Sequence, residues 1–423
     1  MNILMLTNTF TPHVGGVARS VEQFAAEHRR QGHAVLVVAP SFDGAEVTPD
    51  VVRVPAIQNF NGTSFSVPLP VPGYLDAALD DFHPDIVHSN HPFLLGHTAL
   101  RIAASRDIPV VFTHHTLYDK YTHYVVDDSS TLKRFVSDLA AGYCNLCDAV
   151  IAPSESIRRM LLDHGVERRI EVIPTGVVIE RFSQGDGASC RQVHGIPSDA
   201  FIVGHVGRLA VEKNLRFLAH SVASFVAANK NAWFLVAGDG PCASTIEGAF
   251  RANDVADRLV MLGELPTEAL PDVYHAMDVF AFASQSETQG MVLTEAMAAG
   301  APVVAVDGPG VRDVVRSREN GVLLMQPSRE VFAAALFWMQ KRKPTEMRRL
   351  RTAARRTARQ FSMVETTART AELYQSVIAA DSRQHHHDMW SVAGRRIAQE
   401  WRLWENMLES AGDAVLHSEI ATV

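Results

Sequence analysis

Residues 284–300 read Ser-Gln-Ser-Glu-Thr-Gln-Gly-Met-Val-Leu-Thr-Glu-Ala-Met-Ala-Ala-Gly, a stretch with groups suited to a ligand that carries phosphates and hydroxyls. Glu287 and Glu295 have seven residues between them, and each carboxylate can accept hydrogen bonds from sugar or ribose hydroxyls. Gly290, Met291 and Val292 stand where a helix would begin. Their amides lack intrahelical partners there and, with the helix dipole, can hold a phosphate. A second stretch, Gly204-His205-Val206-Gly207-Arg208-Leu209, is followed by Lys213. Arg208 and Lys213 could face the negative charge that builds on a departing diphosphate. The plainer alternatives are an ordinary charged surface loop for the two cations, a helix cap for Glu287 and a solvated helix charge for Glu295. Metal-dependent transfer from nucleotide donors usually uses Asp-x-Asp, and no two aspartates here are separated by one residue. No metal or other cofactor is therefore expected.

The first half contributes two further stretches. Thr11-Pro12-His13-Val14-Gly15-Gly16-Val17 lies between a strand and a helix, and Gly15 and Gly16 permit close backbone approach to a phosphate or sugar. The full G-x-G-x-x-G spacing is missing, which argues against a dinucleotide oxidoreductase. The run from Val111 to Tyr124 clusters His114, His115, Tyr118, Tyr121 and His123 after a strand. Their clustering after one strand makes all five candidates for function in the expected cleft, with His114, Tyr118, Tyr121 and His123 the candidates for an acceptor. A histidine at a strand end is otherwise a structural residue.

These residues need strands to carry them. In the first half, β-branched runs occur at Ile3–Thr7, Ala34–Ala39, Asp85–Ser89, Pro109–His114, Ala149–Pro153 and Ile170–Pro174, with helical patterns such as Val17–Gln31 and Thr98–Arg106 between them. The same alternation restarts with Phe201–Val206, Trp233–Ala237, Leu259–Leu262, Val279–Ala283, Pro302–Val306 and Gly321–Met325. Nearly continuous apolar strands separated by helices predict α/β architecture, with two doubly wound parallel sheets. The expected domains are 1–183, 184–375 and a helical tail, 376–423, with the joint in the Gly/Ser-rich run Ser183–Ser189. Ligands of such sheets sit at the carboxyl ends of strands, here in an expected cleft between the two domains.

A chain of 423 residues exceeds one core and suits two domains. Its hydrophobic share of 47% and charged share of 20% are those of a globular protein, and its net charge of −8 disfavours general nucleic-acid binding. No apolar run approaches the roughly 20 residues of a membrane span. The first residues read as a strand rather than a signal peptide, so the chain is expected to stay in the cytoplasm. Cys144 and Cys147 form a lone C-x-x-C that reads as two small residues on a packed helix. The run from Lys341 to Arg359 is strongly basic, either a solvated helix face or a contact with an anionic surface. His385-His386-His387 reads as an exposed polar tract, and an amphipathic stretch runs from Trp390 to Leu408.

Taken together, Gly15-Gly16, His115-Thr116, Ala152-Pro153-Ser154, Ile173-Pro174-Thr175-Gly176-Val177, Gly207-Arg208 with Lys213, Gly238-Asp239-Gly240-Pro241 and the Glu287/Glu295 pair resemble the family-4 retaining glycosyltransferases of GT-B fold. The resemblance covers residues 1 to about 375. It implies that Arg208 and Lys213 neutralise a nucleotide-sugar diphosphate, that Glu287 contacts the transferred sugar and Glu295 the ribose, and that His115 lies beside the reacting centre. It also implies retention of anomeric configuration by same-face attack. Gln289, where many relatives have Phe, and the run His115–Tyr124 are similar to the diacylglycerol glucosyltransferase branch. That likeness implies glucose transfer from UDP-glucose to a lipid such as diacylglycerol by a peripheral enzyme on the inner face of the plasma membrane. The segment Tyr118–Tyr143 would be the lipid-facing element, with Lys120, Lys133 and Arg134 at head groups. Rival expectations are a phosphatidylinositol or soluble acceptor with GDP-mannose, a nucleotide-sugar epimerase or hydrolase, and a silent nucleotide-sugar-binding module.

Overall fold

The computed structural model describes residues 1–13, 15–42, 44–45, 48–58, 66–68, 73–118 and 130–381, and beyond them 399, 401–403, 405–407 and 410. Tyr121 and His123, together with Lys120 and the tract His385-His386-His387, lie outside the described residues. The chain forms two compact units, Met1–Pro174 with Thr366–Val423, and Thr175–Glu365.

In the first unit the strands are β1 (Asn2–Leu6), β2 (Ala34–Pro40), β3 (Val51–Val54), the two-residue β4 (Ala56–Ile57) and β5 (Val67–Pro68), β6 (Ile86–Ser89), β7 (Val110–Thr113), β8 (Ala149–Ala152) and β9 (Ile170–Val172). Seven of them make a parallel sheet in the order β3-β2-β1-β6-β7-β8-β9, and β4 and β5 pair separately and antiparallel. Both faces of the sheet are covered, which is why its strands are apolar without alternation. Leu4, Leu6, Leu36, Val38 and Val87 enter one core, while Ile3, Met5, Val35, Val37 and Val111 enter another. The edge strand β3 was not among the expected elements. Its run Val-Val-Arg-Val is short, and Arg53 reaches from it to the carbonyl of Thr11 at 2.7 Å.

The second unit has a six-stranded parallel sheet of β10 (Phe201–Val206), β11 (Ala232–Ala237), β12 (Leu259–Met261), β13 (Val279–Phe282), β14 (Val303–Val306) and β15 (Gly321–Leu324). Its order is β12-β11-β10-β13-β14-β15. All six expected strands are present, each within a residue or two of its expected bounds.

The division between units departs from the expected one at both ends. The Gly/Ser-rich run near residue 185 is packed rather than a linker. Phe182 is buried in the second unit's core, and Asp186 caps the helix Gly187–Val193 through the amide of Ser189. A Cβ on Gly187 would stand 2.3 Å from the carbonyl carbon of His275, so only glycine allows this approach. Val177 is held by backbone hydrogen bonds to Phe361 and Met363, at 2.8 and 2.9 Å, which ties the start of this unit to its end.

The helix Met363–Asp381 belongs to the first unit from Thr366 onward. Tyr374 is fully buried there and bonds His88 Nδ1 at 2.5 Å, while His88 Nε2 meets Thr113 Oγ1 at 2.7 Å. Part of the expected tail is core as well. Leu403 joins the first unit's apolar cluster, and Asn406 donates to the carbonyl of Leu139 at 3.3 Å. Among the described residues no helix is long and apolar enough to cross a membrane.

Candidate active site

In the second unit β10 and β13 are neighbours, and the sheet grows away from them in opposite directions. Loops that leave the carboxyl ends of two such strands diverge and open a crevice for a ligand. The Gly207-Arg208 turn follows β10, and the Ser284–Gln289 loop follows β13. The two stretches that stood out for their chemistry are therefore the loops at the switch point.

Their charges are joined directly. Lys213, in the short turn Val211–Lys213, donates to Glu287 at 2.5 Å, and both side chains are largely withdrawn from solvent. Arg208 is half-exposed and pairs at 2.6 Å with Glu212, whose own side chain is nearly buried. Glu212 had not been singled out. It holds the Arg208 guanidinium and also accepts, through its backbone carbonyl, a 3.1 Å bond from Ser286 Oγ. Gly290 has φ +79, a left-handed value that starts the helix Met291–Ala299 sharply after the loop. The first amides of that helix, beginning with Met291 and Val292, have no intrahelical acceptor.

Neighbouring motifs hold these loops in place. Gly238 packs on the Gly207 turn so closely that a Cβ would lie 2.0 Å from the Gly207 carbonyl oxygen. Leu209 donates to Asp239 at 2.8 Å, and Cys242 donates to Leu209 at 2.8 Å. The Gly-Asp-Gly-Pro run thus sets the position of the arginine turn. Gln289 is buried, accepts from the amide of Thr175, and donates to the Thr175 carbonyl at 2.8 Å. Its amide binds the Ile-Pro-Thr-Gly-Val run to the carboxylate loop, a structural use that differs from the acceptor preference read from the residue type.

Glu295 differs from its expected surroundings. It is not a solvated helix charge, because it is 3% exposed and accepts a 2.8 Å bond from Tyr274. The helix is apolar almost all round, so no stripe marks which side faces solvent. His205 was not singled out. The β10–β13 ladder registers only Val203 with Val279 and Gly204 with Phe280. Beyond that point the His205 ring lies 3.0 Å from the Ala281 carbonyl through Nδ1. A carbonyl only accepts, so Nδ1 carries the proton. Burial lowers the pKa to about 4, and Nε2 is a bare acceptor without a partner among the described residues.

The first unit has an analogous switch point between β1 and β6. Gly15 is the N-cap of the helix Gly16–Arg30, and the space where a Cβ on Gly16 would stand is open. His115 donates from Nε2 to Asn90 Oδ1 at 2.9 Å, and Asn90 in turn bonds the carbonyl of Leu6. Asn8 donates its backbone amide to His91 Nδ1 at 3.1 Å, and its side chain donates to the carbonyl of Phe93 and accepts from the amide of Leu95. Desolvation, reinforced by His91, His88 and His114, holds the His115 pKa well below the usual imidazole range. The ring is neutral near pH 7. Asn8, Asn90 and His91 were missed, because their only sequence signal is polarity at a strand end.

The remaining candidates separate. His114 is buried edge-on to Phe112 and Tyr118, and Tyr118 also packs edge-on against Phe93. Tyr143, expected in a lipid-facing segment, is fully buried and bonds Ser89 at 2.7 Å and the Gly96 carbonyl at 2.9 Å. Its hydroxyl is used inside the core, so this residue does not face a membrane. Cys144 and Cys147 are buried alongside, with thiols pushed up by desolvation.

Comparison with known proteins agrees with the two-sheet fold. Glycosyltransferase Family 4 matches residues 14–181, and Glycosyl transferases group 1 matches residues 188–357. The chain is 29% identical over 337 residues to the alpha-monoglucosyldiacylglycerol synthase of Streptococcus pneumoniae, covering 76% of this chain and 75% of that one. It is 31% identical over 335 residues to the GDP-mannose-dependent alpha-mannosyltransferase of Mycolicibacterium smegmatis, covering 77% and 84%. The structure of Anabaena HepE with UDP-glucose superposes with a TM-score of 0.68 over 88% of this chain and 99% of that chain, at 21% identity. Two parallel sheets with alternating helices give this chain the GT-B fold of that neighbour. The chain belongs to glycosyltransferase family 4 and is a hexosyltransferase.

Proposed function

We propose that the chain transfers glucose from UDP-glucose to a lipid acceptor such as diacylglycerol at a membrane surface, with retention of configuration and without a metal. The observation that carries the donor half is the Lys213–Glu287 contact between the two loops of the switch point, beside the amides that open the helix Met291–Ala299. Lys213 and Arg208 balance the diphosphate, with Glu212 holding the guanidinium. Glu287 accepts from the transferred sugar and Glu295 is assigned to the ribose. The bond from the anomeric carbon to the diphosphate oxygen breaks as the acceptor oxygen attacks from the same face. The acceptor proton passes to the departing phosphate, and UDP is released. His115, neutral and anchored to Asn90, is assigned to the sugar as a hydrogen-bonding group.

Support for the acceptor comes from the name of the Streptococcus pneumoniae relative. The Mycolicibacterium smegmatis relative favours a second reading, mannose transfer from GDP-mannose. The test is incubation of the whole chain with labelled UDP-glucose or GDP-mannose and mixed vesicles containing diacylglycerol. Label is expected in a glucosyl lipid whose linkage is α, and activity should persist in EDTA. Label that enters only a mannosyl product, or never leaves the water-soluble fraction, would remove the proposal.

A further inference from the structure

The helix Pro344–Gln360 has two chemically distinct faces. Leu350, Ala354, Thr357 and Ala358 are buried in the second unit, while Arg348, Arg349, Arg355, Arg356 and Arg359 are exposed. Residues 341–359 hold nine Lys and Arg against one acidic residue, Glu346, in a chain whose net charge is −8. Some of these cations serve the fold. Arg351 pairs with Asp278 at 3.0 Å, and Arg355 donates to the carbonyl of Ala299 at 3.2 Å.

Others line an open cavity of about 560 Å³ bounded by residues 346–356 of this helix, by the end of the helix Arg329–Gln340 and by the turn before β15. Arg342 lies over the Trp338 ring at 4.4 Å and faces Glu346 at 3.5 Å. Arg356 pairs with Glu319 at 2.6 Å. Arg318, Arg348 and Arg349 also line the cavity, and among the described residues none of the three has a carboxylate partner. Five guanidinium groups thus share two carboxylates around one concavity whose apolar wall includes Leu350, Ala353 and Trp338.

This cavity is not the donor crevice. Asp278, held by the basic helix, precedes β13, whereas Glu287 follows it, and the turn carrying Arg318 and Glu319 precedes β15. The basic groove therefore lies toward the amino ends of the strands, opposite the loops that carry Arg208, Lys213 and Glu287. Guanidinium forks match the spacing of phosphate oxygens and bind them bidentately. Several unpaired forks suit a group with more acceptor oxygens than one carboxylate has. A wall of Leu, Ala and Trp accommodates the organic part of an ester, and the volume is that of a small-ligand site.

We propose that this groove is a second anion site, which binds the phosphate of a phosphate ester through Arg318, Arg348 and Arg349. The ester is either a phospholipid head group or a soluble sugar or glycerol phosphate. The site does not depend on which sugar or acceptor the enzyme uses.

The experiment measures binding of the full chain to glycerol 3-phosphate by calorimetry, and to vesicles of equal parts phosphatidylglycerol and phosphatidylcholine by co-sedimentation. Arg348→Glu/Arg349→Glu and, on a separate element, Arg318→Asn are compared with the charge-matched control Arg181→Glu/Arg251→Glu. Asn tolerates the left-handed backbone of Arg318, where φ is +65. Binding to either probe should weaken by about tenfold or more in the double variant, and in the same direction in Arg318→Asn, while the control stays near wild type. Glycerol phosphate binding identifies a soluble ester, and vesicle binding alone identifies a head group. The proposal fails if neither probe binds, if binding survives the groove variants, or if the control weakens it equally.

Discussion

At the scale of single residues, the candidate donor site is a set of pairs rather than a set of separate charges. Lys213 faces Glu287, and Arg208 faces Glu212. In the proposed reaction the ligand must share these partners, so removing one member harms both. Lys213→Ala should lower kcat by about 100-fold or more, the range for loss of one group that stabilises a developing oxyanion. Glu212→Gln should act through the freed Arg208 and raise KM for the donor more than it lowers kcat. Steady-state kinetics with varied nucleotide sugar checks both, and unchanged constants in Lys213→Ala would remove it from the site. His28 makes a different prediction. It is fully buried between Phe24 and Tyr374, neither ring nitrogen has a partner among the described residues, and burial lowers its pKa to about 3. An unfolded chain takes up that proton near pH 6.5, so stability is full above that pH and falls as pH drops, by about 1.4 kcal/mol per unit. His28→Phe should therefore lose ~2 kcal/mol less than wild type between pH 8 and pH 5 in urea unfolding.

At the scale of elements, the loops owe their positions to close backbone packing. Gly238, with φ +136, lies against the carbonyl of Gly207 where no Cβ fits. Gly238→Ala is expected to displace the arginine turn. Transfer activity should drop at least tenfold, with a stability loss of about 1–3 kcal/mol measured on the same sample. A fall in stability alone, with activity per folded molecule unchanged, would show that this packing does not set the turn. The strands themselves were legible, since fully buried parallel strands need continuous apolar runs such as Val35–Ala39 and Val303–Val306. The helix Met291–Ala299 was legible from its closing Gly300, but the burial of Glu295 was not. Tyr274, the group that bonds this carboxylate, is 21 residues away in sequence. The same reason hid the contacts of His115 with Asn90 and of Asn8 with His91, which form only when β1, β6 and β7 are laid side by side.

At the scale of the whole chain, the two units do not follow one another simply along the sequence. The segment from Thr366 returns to the first unit, where Leu373, Tyr374 and Val377 share a core with Ile3, Met5 and Val37. Gln31 reaches Thr367 at 2.6 Å, and Arg369 bonds the carbonyl of Val172 at 2.5 Å. Ending the chain at Glu365 should therefore weaken the unit that contains residue 1, although the cut lies at the other terminus. Hydrogen exchange is expected to lose protection in β1, β2 and β6 while β10, β11 and β14 keep theirs. Equal loss in both sheets would contradict this division. The order of residues already carries the architecture of two parallel sheets and the stretches that hold the charges, because burial on both faces and helix stops act locally. It also carried the family likeness. Folding alone reveals which charges pair, that a Gly-rich run is packed chain rather than a joint, and that the helix Met363–Asp381 completes the first core. Those outcomes depend on groups brought together from distant positions, which local periodicity does not encode.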